Sequence, residues 1–474
     1  MMSIQKLFQE NIQVVNIGSP SFKYDYEKQD VPYIHLEWAP PASGNLLILN
    51  QLNQLRTYKD QIDAANEKAV QKIKSAEGRL IAVKKAFDVI PNMSKNTILH
   101  AGPPIAFKDM AGPMKGAIIG ALIYEGLARN EKEALNLAES GAIEFDSAHH
   151  HDAVGPMAGI ISPSMPVHVI YDIVNRYYSY CTINEGLGKV LRYGANSEDV
   201  IKRLKWIEHT FAPVMNDALI LSGGLDIKSI ITQALHMGDE CHNRNKASSA
   251  LFLRDIAPFI LQTSHDQTAK KEVLEFIKHN EHYFLNLSMP YCKVALDAAK
   301  NIPYSTVVIA MARNGVDFGI RLASSNRWYT APANYVKGLM FPGFTENDAA
   351  PDIGDSAITE TCGIGGFAMG GAPAIVQFVG GVVEQAFQYS KAMHEITAGK
   401  HQVFTLPPLD FMPTAVGIDV LKVLETGTLP IINTGMAHKE AGVGQVGAGL
   451  VNPPMACFEQ ALLDLTKHLK EEHA

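Results

Sequence analysis

From Ser197 to about Leu261 the chain keeps a continuous helical pattern, while the sequence on both sides breaks into short apolar runs stopped by glycine and proline. That contrast is the strongest constraint on the fold. Strand-bearing flanks around one uninterrupted helical stretch predict an α+β protein, multi-lobed, with mixed sheets and an inserted all-helical domain. Within the stretch, Ser197 followed by Glu198-Asp199 reads as an N-cap, Gly223-Gly224 separates two helices, and Asp226 caps the second. The expected organisation is an N-terminal α/β unit and helix over 1–95 and an α/β lobe with a histidine cluster over 96–196. A helical domain over 197–290 and a glycine-rich α/β lobe over 291–474 complete it.

Outside the helical stretch, VVNIG (14–18) and YIHLEW (33–38) read as strands. Gly18 is followed by SPSFKY, so the G-x-G-x-x-G of a dinucleotide fold is absent and no nucleotide cofactor is expected. Residues 44–87 carry apolar positions at three- and four-residue steps, through Ala69, Ile73, Leu80 and Val83, and read as helical. Gly116, Gly120 and Gly126 would thin the helix that follows PPI (103–105) for close packing, and 130–141 reads as an amphipathic helix. Strand-like runs follow at 143–145, 159–162, 167–171 and 178–183, and again at 305–312 and 316–323 after a helix at 270–280. The last third alternates glycine loops with helices.

Composition narrows the function. Hydrophobic residues make up 47% and charged residues 19%, enough for a buried core, and the net charge of −8 gives no basic field for nucleic acid or an anionic membrane. Five scattered cysteines form no CxxC pair, which fits reduced thiols in a cytoplasm, with Cys362 singled out beside a glycine loop. The N-terminus lacks a signal-peptide core, and the most apolar stretch, 116–128, is too short for a membrane span and carries Glu125. The expected location is cytoplasmic.

Five segments could carry chemistry. In FDSAHHHDAVGPMAG (145–159), His149 and His151 would share a side of an extended chain, with Asp152 or Glu144 near them. The pair could bind a metal. Two ligands are not a tetrahedron, however, so no metal is expected, and an anion-binding or acid–base role or a hydrogen-bonded loop fits better. HAGPPI places His100 at a strand end, where α/β folds put substrate groups, although a satisfied core histidine fits equally. In NEGLGKVLRYG, Glu185, Lys189 and Arg192 would share a helix face that could clamp a carboxylate or phosphate, or simply form an exposed ion-paired face. MGDECHNRNKAS packs Asp239, Glu240, His242, Asn243, Arg244 and Asn245 into one junction, readable as a site or as a cap. The glycine loops at 363–375 (with Gly363 and Gly365) and 437–449 (with His438, Lys439 and Gly444) could form anion nests or serve close packing. The acidic run 348–356 lacks calcium-loop spacing and reads as turns with an Asp355/Ser356 cap.

The order of NIGSPSF, HLEWAPPASG, HAGPPI, EFDSAHHHDAVGPMAGIISPSMPV, NEGLGKVLRYGA, MGDECHNRN, GIGGFAMGGAPAI and TGMAHKEAGVGQVGAG resembles the YlbE/AllG-like family, nearly end to end. The resemblance implies a subunit of an oxamate carbamoyltransferase, converting oxalurate and phosphate to oxamate and carbamoyl phosphate in allantoin breakdown. It further implies an FdrA-like partner, a third subunit and a small anionic substrate, without a cofactor; a homo-oligomer is expected. It transfers no residue roles. From the residues themselves, His100, His151, His438 and Glu144 are the expected acid–base or oxyanion groups. Lys189, Arg192, Arg244, Asn243, Lys439, Gly363, Gly365 and Gly444 are the expected anion-binding ones. The competing readings are a non-catalytic assembly subunit for the FdrA-like partner, and a metal-dependent hydrolase using His149 and His151.

Overall fold

A computed structural model describes residues 14–36 and 40–471. Most of the N-terminal segment, the end of YIHLEW and the last three residues lie outside the described residues. The architecture is α+β, with several small sheets and many helices.

A run of helices occupies most of residues 198–297. Its helices are Glu198–Trp206, Ala212–Ser222, Ile227–His236, Lys246–Gln262 and Gln267–Lys278, followed by Leu285–Asp297. Asp226 accepts a hydrogen bond from the Ser229 N–H and Asp266 from that of Ala269, so both starts are capped by side chains. Ser197 precedes its helix without a side-chain cap bond. The lobe shares its core with an antiparallel sheet ordered Tyr178–Thr182, Pro166–Asp172, Gly78–Lys85, Leu225–Asp226. The wholly buried helix Leu285–Asp297 packs against that sheet.

A second core lies under two further sheets. One is ordered Tyr329–Pro332, Asp317–Leu322, Val308–Asn314, Ile353–Gly354, and the other Lys337–Met340, Gln445–Val451, Ile432–Ala437. The helix Met455–Glu471 covers both strands Tyr329–Pro332 and Asp317–Leu322. A third core gathers Gly112–Tyr124 and Glu131–Glu139 beside the parallel pair Thr97–His100 and Glu144–Ser147.

Four local expectations change. Gly78–Lys85 is a strand, not the end of a helix: a register shift between Leu80 and Ala82 puts Leu80 and Val83 on one buried face, and so mimics a helical three-residue step. Residues 159–162 contribute only a single bridge, Ile161 to Leu99. The segment 185–190 is an irregular loop, so Glu185, Lys189 and Arg192 share no helix face. Residues 432–451 form an antiparallel hairpin rather than an open glycine loop before a helix.

The glycines expected to thin the helix Gly112–Tyr124 divide. A Cβ on Gly116 would lie 2.4 Å from the Gly194 carbonyl oxygen, and one on Gly120 2.5 Å from Leu191, whereas Gly126 has nothing within 4 Å. Gly116→Ala should therefore destabilise the protein by about 1–3 kcal/mol through overpacking, read as a lower urea midpoint, while Gly120 and Gly116 tolerate no larger residue.

Candidate functional site

The loop 237–245 leaves helix Ile227–His236 and enters Lys246–Gln262, and its shape is set by its own carboxylate. Glu240 accepts the N–H of His242 at 3.0 Å and that of Arg244, while Cys241 takes a positive φ of 60° between them. The glycine loop meets it from the other side, with the Gly365 N–H donating to the Glu240 carbonyl at 2.8 Å. Burial, with Glu360 nearby, pushes the Glu240 carboxyl well above the usual range.

Glu360, on the short buried turn Ile358–Thr361, occupies the place where an anion nest would hold its ligand. It accepts the Gly366 N–H at 2.7 Å and the Thr359 hydroxyl at 2.9 Å. A Cβ on Gly365 would lie 2.2 Å from the Glu360 carboxylate, so the loop needs glycine there to close over it. His242 Nδ1 donates to Glu360 at 2.8 Å, and both residues are buried. With Nδ1 donating to a carboxylate, Nε2 is the nitrogen left to accept or pass on a proton.

Past His242, Asn243 and Asn245 are buried, Arg244 is half-buried and Lys246 is exposed. Asn243, Arg244, Asn245 and Lys246 line a cleft of about 380 Å³ with His282, Phe341 and Ile375. Arg244 is tied at Nε to the Gly238 carbonyl, 3.0 Å away, and stands 3.4 Å from Asp239. Among the described residues, the Asn243 Nδ2 and Asn245 Oδ1 atoms are buried without a hydrogen-bond partner. Burial first, then the charges of Arg192, His242 and Lys246, push the His282 imidazole down to about 3, so it is neutral at neutral pH. The cleft thus offers guanidinium and amide groups and the Lys246 ammonium, which pairs at 2.9 Å with Glu281 of the same lining; the carboxylate-oriented His242 is buried and outside that lining.

The expected site residues fall into three groups. Asn243 and Arg244 line the cleft, whereas Gly363 and Gly365 do not; the Gly363 N–H is taken by the Glu360 carbonyl. A second group joins 185–194 to the 437–445 turn. Gly444 backs onto Gly188, Lys189 is exposed, and Arg192 donates to the Gly186 carbonyl at 2.7 Å while lining a small separate void with Glu185. There His438 Nδ1 accepts the Glu440 N–H at 2.9 Å and Lys439 donates to the Asn347 carbonyl at 2.7 Å. The third group is the histidine run. Ala148–His151 is a 3₁₀ turn, not extended chain, so His149 and His151 part company. His151 bonds the Pro91 carbonyl at 2.7 Å and Asp146 at 3.0 Å, and Glu144 accepts from Thr97 at 3.1 Å. Among the described residues, no three His, Cys, Asp or Glu side chains are grouped to hold a metal ion.

Asp146 and His151 support one another. Burial alone would raise the Asp146 carboxyl, but hydrogen bonds from His150 and His151 hold it well below the usual range, and Asp146 in turn raises His151. Asp355 is more than a cap: its two oxygens accept the Gly102 N–H at 2.7 Å and the Gly155 N–H at 2.9 Å, tying two loops together. Cys362 is buried behind the glycine loop, where a hydrogen bond from Cys292 is the main cause lowering its thiol to about 6. Reading the sequence alone did not select His242, Glu360 or His282 as site residues. His242 stood inside a motif already singled out, whereas Glu360 and His282 carried no local signal.

Comparison with known proteins agrees with this architecture. A family model described as oxamate carbamoyltransferase subunit AllG matches residues 143–356, which hold the histidine run and most of the cleft. The chain is 46% identical over 462 residues to the uncharacterized protein YahG of Escherichia coli (strain K12), covering 97% of this chain and 98% of that one. It is also 46% identical over 409 residues to oxamate carbamoyltransferase subunit AllG of the same organism, covering 85% of this chain and 98% of that one. A crystal structure of a conserved protein of unknown function from Enterococcus faecalis V583 superposes with a TM-score of 0.85 at 50% identity, over 86% of this chain and 98% of that one. With a carbamoyltransferase subunit among relatives so similar over most of its length, the chain belongs to the AllG family.

Proposed function

We propose that this chain is a catalytic subunit of a carbamoyltransferase of the oxamate type, acting with an FdrA-like subunit and a third subunit on oxalurate and phosphate, without a cofactor. The observation that carries the reading is the buried His242–Glu360 pair, next in sequence to the Asn243–Lys246 segment that lines the cleft, in a chain 46% identical to a carbamoyltransferase subunit. Arg244, Lys246 and the Asn243 amide hold the phosphate dianion in the cleft. A phosphate oxygen attacks the terminal ureido carbonyl carbon of oxalurate, and the carbon–nitrogen bond to oxamate breaks. His242 Nε2 takes the proton of hydrogen phosphate and returns it to the departing oxamate nitrogen, so the ring ends as it began. Glu360 stabilises the imidazolium formed between these steps.

The test is phosphate-dependent oxamate release by the chain assembled with its partner subunits. Arg244→Gln should raise the KM for phosphate about tenfold or more, since a charge-assisted contact is worth about 1.5–3 kcal/mol. Unchanged kinetics in an intact assembly would move the active site to another subunit and leave this chain an assembly component.

A further inference from the structure

The helix Met455–Glu471 walls a second cavity, of about 480 Å³, that shares no lining residue with the cleft. Two turns, 301–304 and 324–327, form its other side. The Ile302 N–H donates to the Ala323 carbonyl at 3.1 Å and so holds the two turns together. Asn301 and Tyr304, both in the lining, take positive φ values of 59° and 67°. Asparagine visits that region readily, whereas a bulky tyrosine there is strained. Such strain persists only where the surroundings enforce it, and it gathers at ligand clamps and other functional sites.

The charged groups of this lining are already paired with one another. Asp464 accepts from Arg327 at 2.6 Å and from the Tyr329 hydroxyl at 2.7 Å. His468 Nδ1 donates to the Asp464 carbonyl at 2.9 Å, which leaves Nε2 its lone pair. The neutral groups are less fully used. Among the described residues, the Ser324 hydroxyl is buried without a hydrogen-bond partner. Asn326 accepts from Arg321 at 3.3 Å through Oδ1, which leaves the two Nδ2 protons to donate. Pro303, Leu465 and Leu469 add an apolar side near Tyr304. A charged ligand would have to compete with Asp464 for Arg327, or with Arg327 for Asp464. A neutral molecule that both donates and accepts, and that carries an apolar C–H face, meets every group as it stands. A sugar ring has that combination, because its hydroxyls do both and its C–H face packs on aromatic and aliphatic side chains.

We propose that this cavity binds a sugar ring, free or as part of a nucleoside. Ser324, Asn326 and His468 meet its hydroxyls, and Tyr304 with the two leucines meets its C–H face. The site does not rest on the transfer reading, because it predicts binding without turnover and lies outside the cleft.

Ligand-observed NMR on the full chain tests this, with D-glucose, D-ribose and adenosine as probes and inorganic phosphate as competitor. Saturation should pass from the protein to the sugar C–H protons of at least one probe, and phosphate should not displace it. Adenosine bound ahead of ribose supports the site with a nucleoside as its source; glucose bound ahead of both supports it with a free sugar. Ser324→Ala removes a hydroxyl that the protein itself leaves unbonded. Its melting temperature should therefore hold or rise, while affinity for the bound probe falls about fivefold. Asn326→Ala, at an exposed position, should weaken the same probe to a similar degree. Absence of transfer to all three probes overturns the proposal, as does displacement by phosphate. Unchanged affinity in both folded variants overturns it as well, and so does a lower melting temperature in Ser324→Ala, which would make that hydroxyl structural.

Discussion

Replacing His242 with glutamine is expected to lower turnover of the assembled enzyme by about 10²- to 10⁴-fold, the usual contribution of a positioned acid–base group. The variant is chosen to spare the fold. A glutamine amide can still donate to Glu360, so the bond that holds loop 237–245 against the turn Ile358–Thr361 survives in part, and the melting temperature should move little. Glu360→Gln is the harsher partner. It removes the charge that accepts from His242, Gly366 and Thr359 together, so it should lose both turnover and stability. The pair is read by kcat and KM in the assembled complex: a loss confined to kcat marks a group acting in the transition state. Full turnover by a folded His242→Gln protein would remove the dyad from the chemistry.

Much of the fold was legible in the sequence because local signals carried it. The helical stretch announced itself through its apolar period and its capping Asp226, which does accept the bond that its position suggests, whereas Ser197 makes no such bond. Failures came where two patterns share a spacing, as at Leu80 and Val83, whose bulged strand imitates a helix face. The glycine loop at 363–375 was visible, but its occupant was not: Glu360 fills the nest from within, and it lies 118 residues from the His242 that it orients. The histidine run posed the same difficulty. Its neighbour Trp328, which donates to His150 at 3.0 Å, is 178 residues away, and no local pattern predicts such a meeting. Motifs marked where chemistry-bearing residues sit along the chain, and only the packing showed which of them face one another.

Asp352→Ala should destabilise the protein by about 3–5 kcal/mol, the largest stability effect we expect from a single substitution. Arg313 is wholly buried and gives two parallel bonds to Asp352, from Nε at 2.7 Å and Nη2 at 2.8 Å. Its remaining donors reach the Gly354 carbonyl at 2.8 Å, Ser356 at 3.4 Å and Thr434 at 3.1 Å, so one guanidinium joins strand Val308–Asn314 to strand Ile432–Ala437 and to segment 352–356. Removing the aspartate leaves that charge in the core without its counter-ion, which costs far more than the lost pair is worth. The double variant Arg313→Met with Asp352→Leu removes both charges at similar volume and should recover much of the loss, a signature that a simple cavity would not give. Urea unfolding of the two variants measures the difference. A single-variant loss below about 1 kcal/mol would show the pair to be solvated. Because Asp355 on the same segment ties down the Gly102 and Gly155 amides, hydrogen exchange at those two residues should rise in Asp352→Ala before the rest of the chain opens.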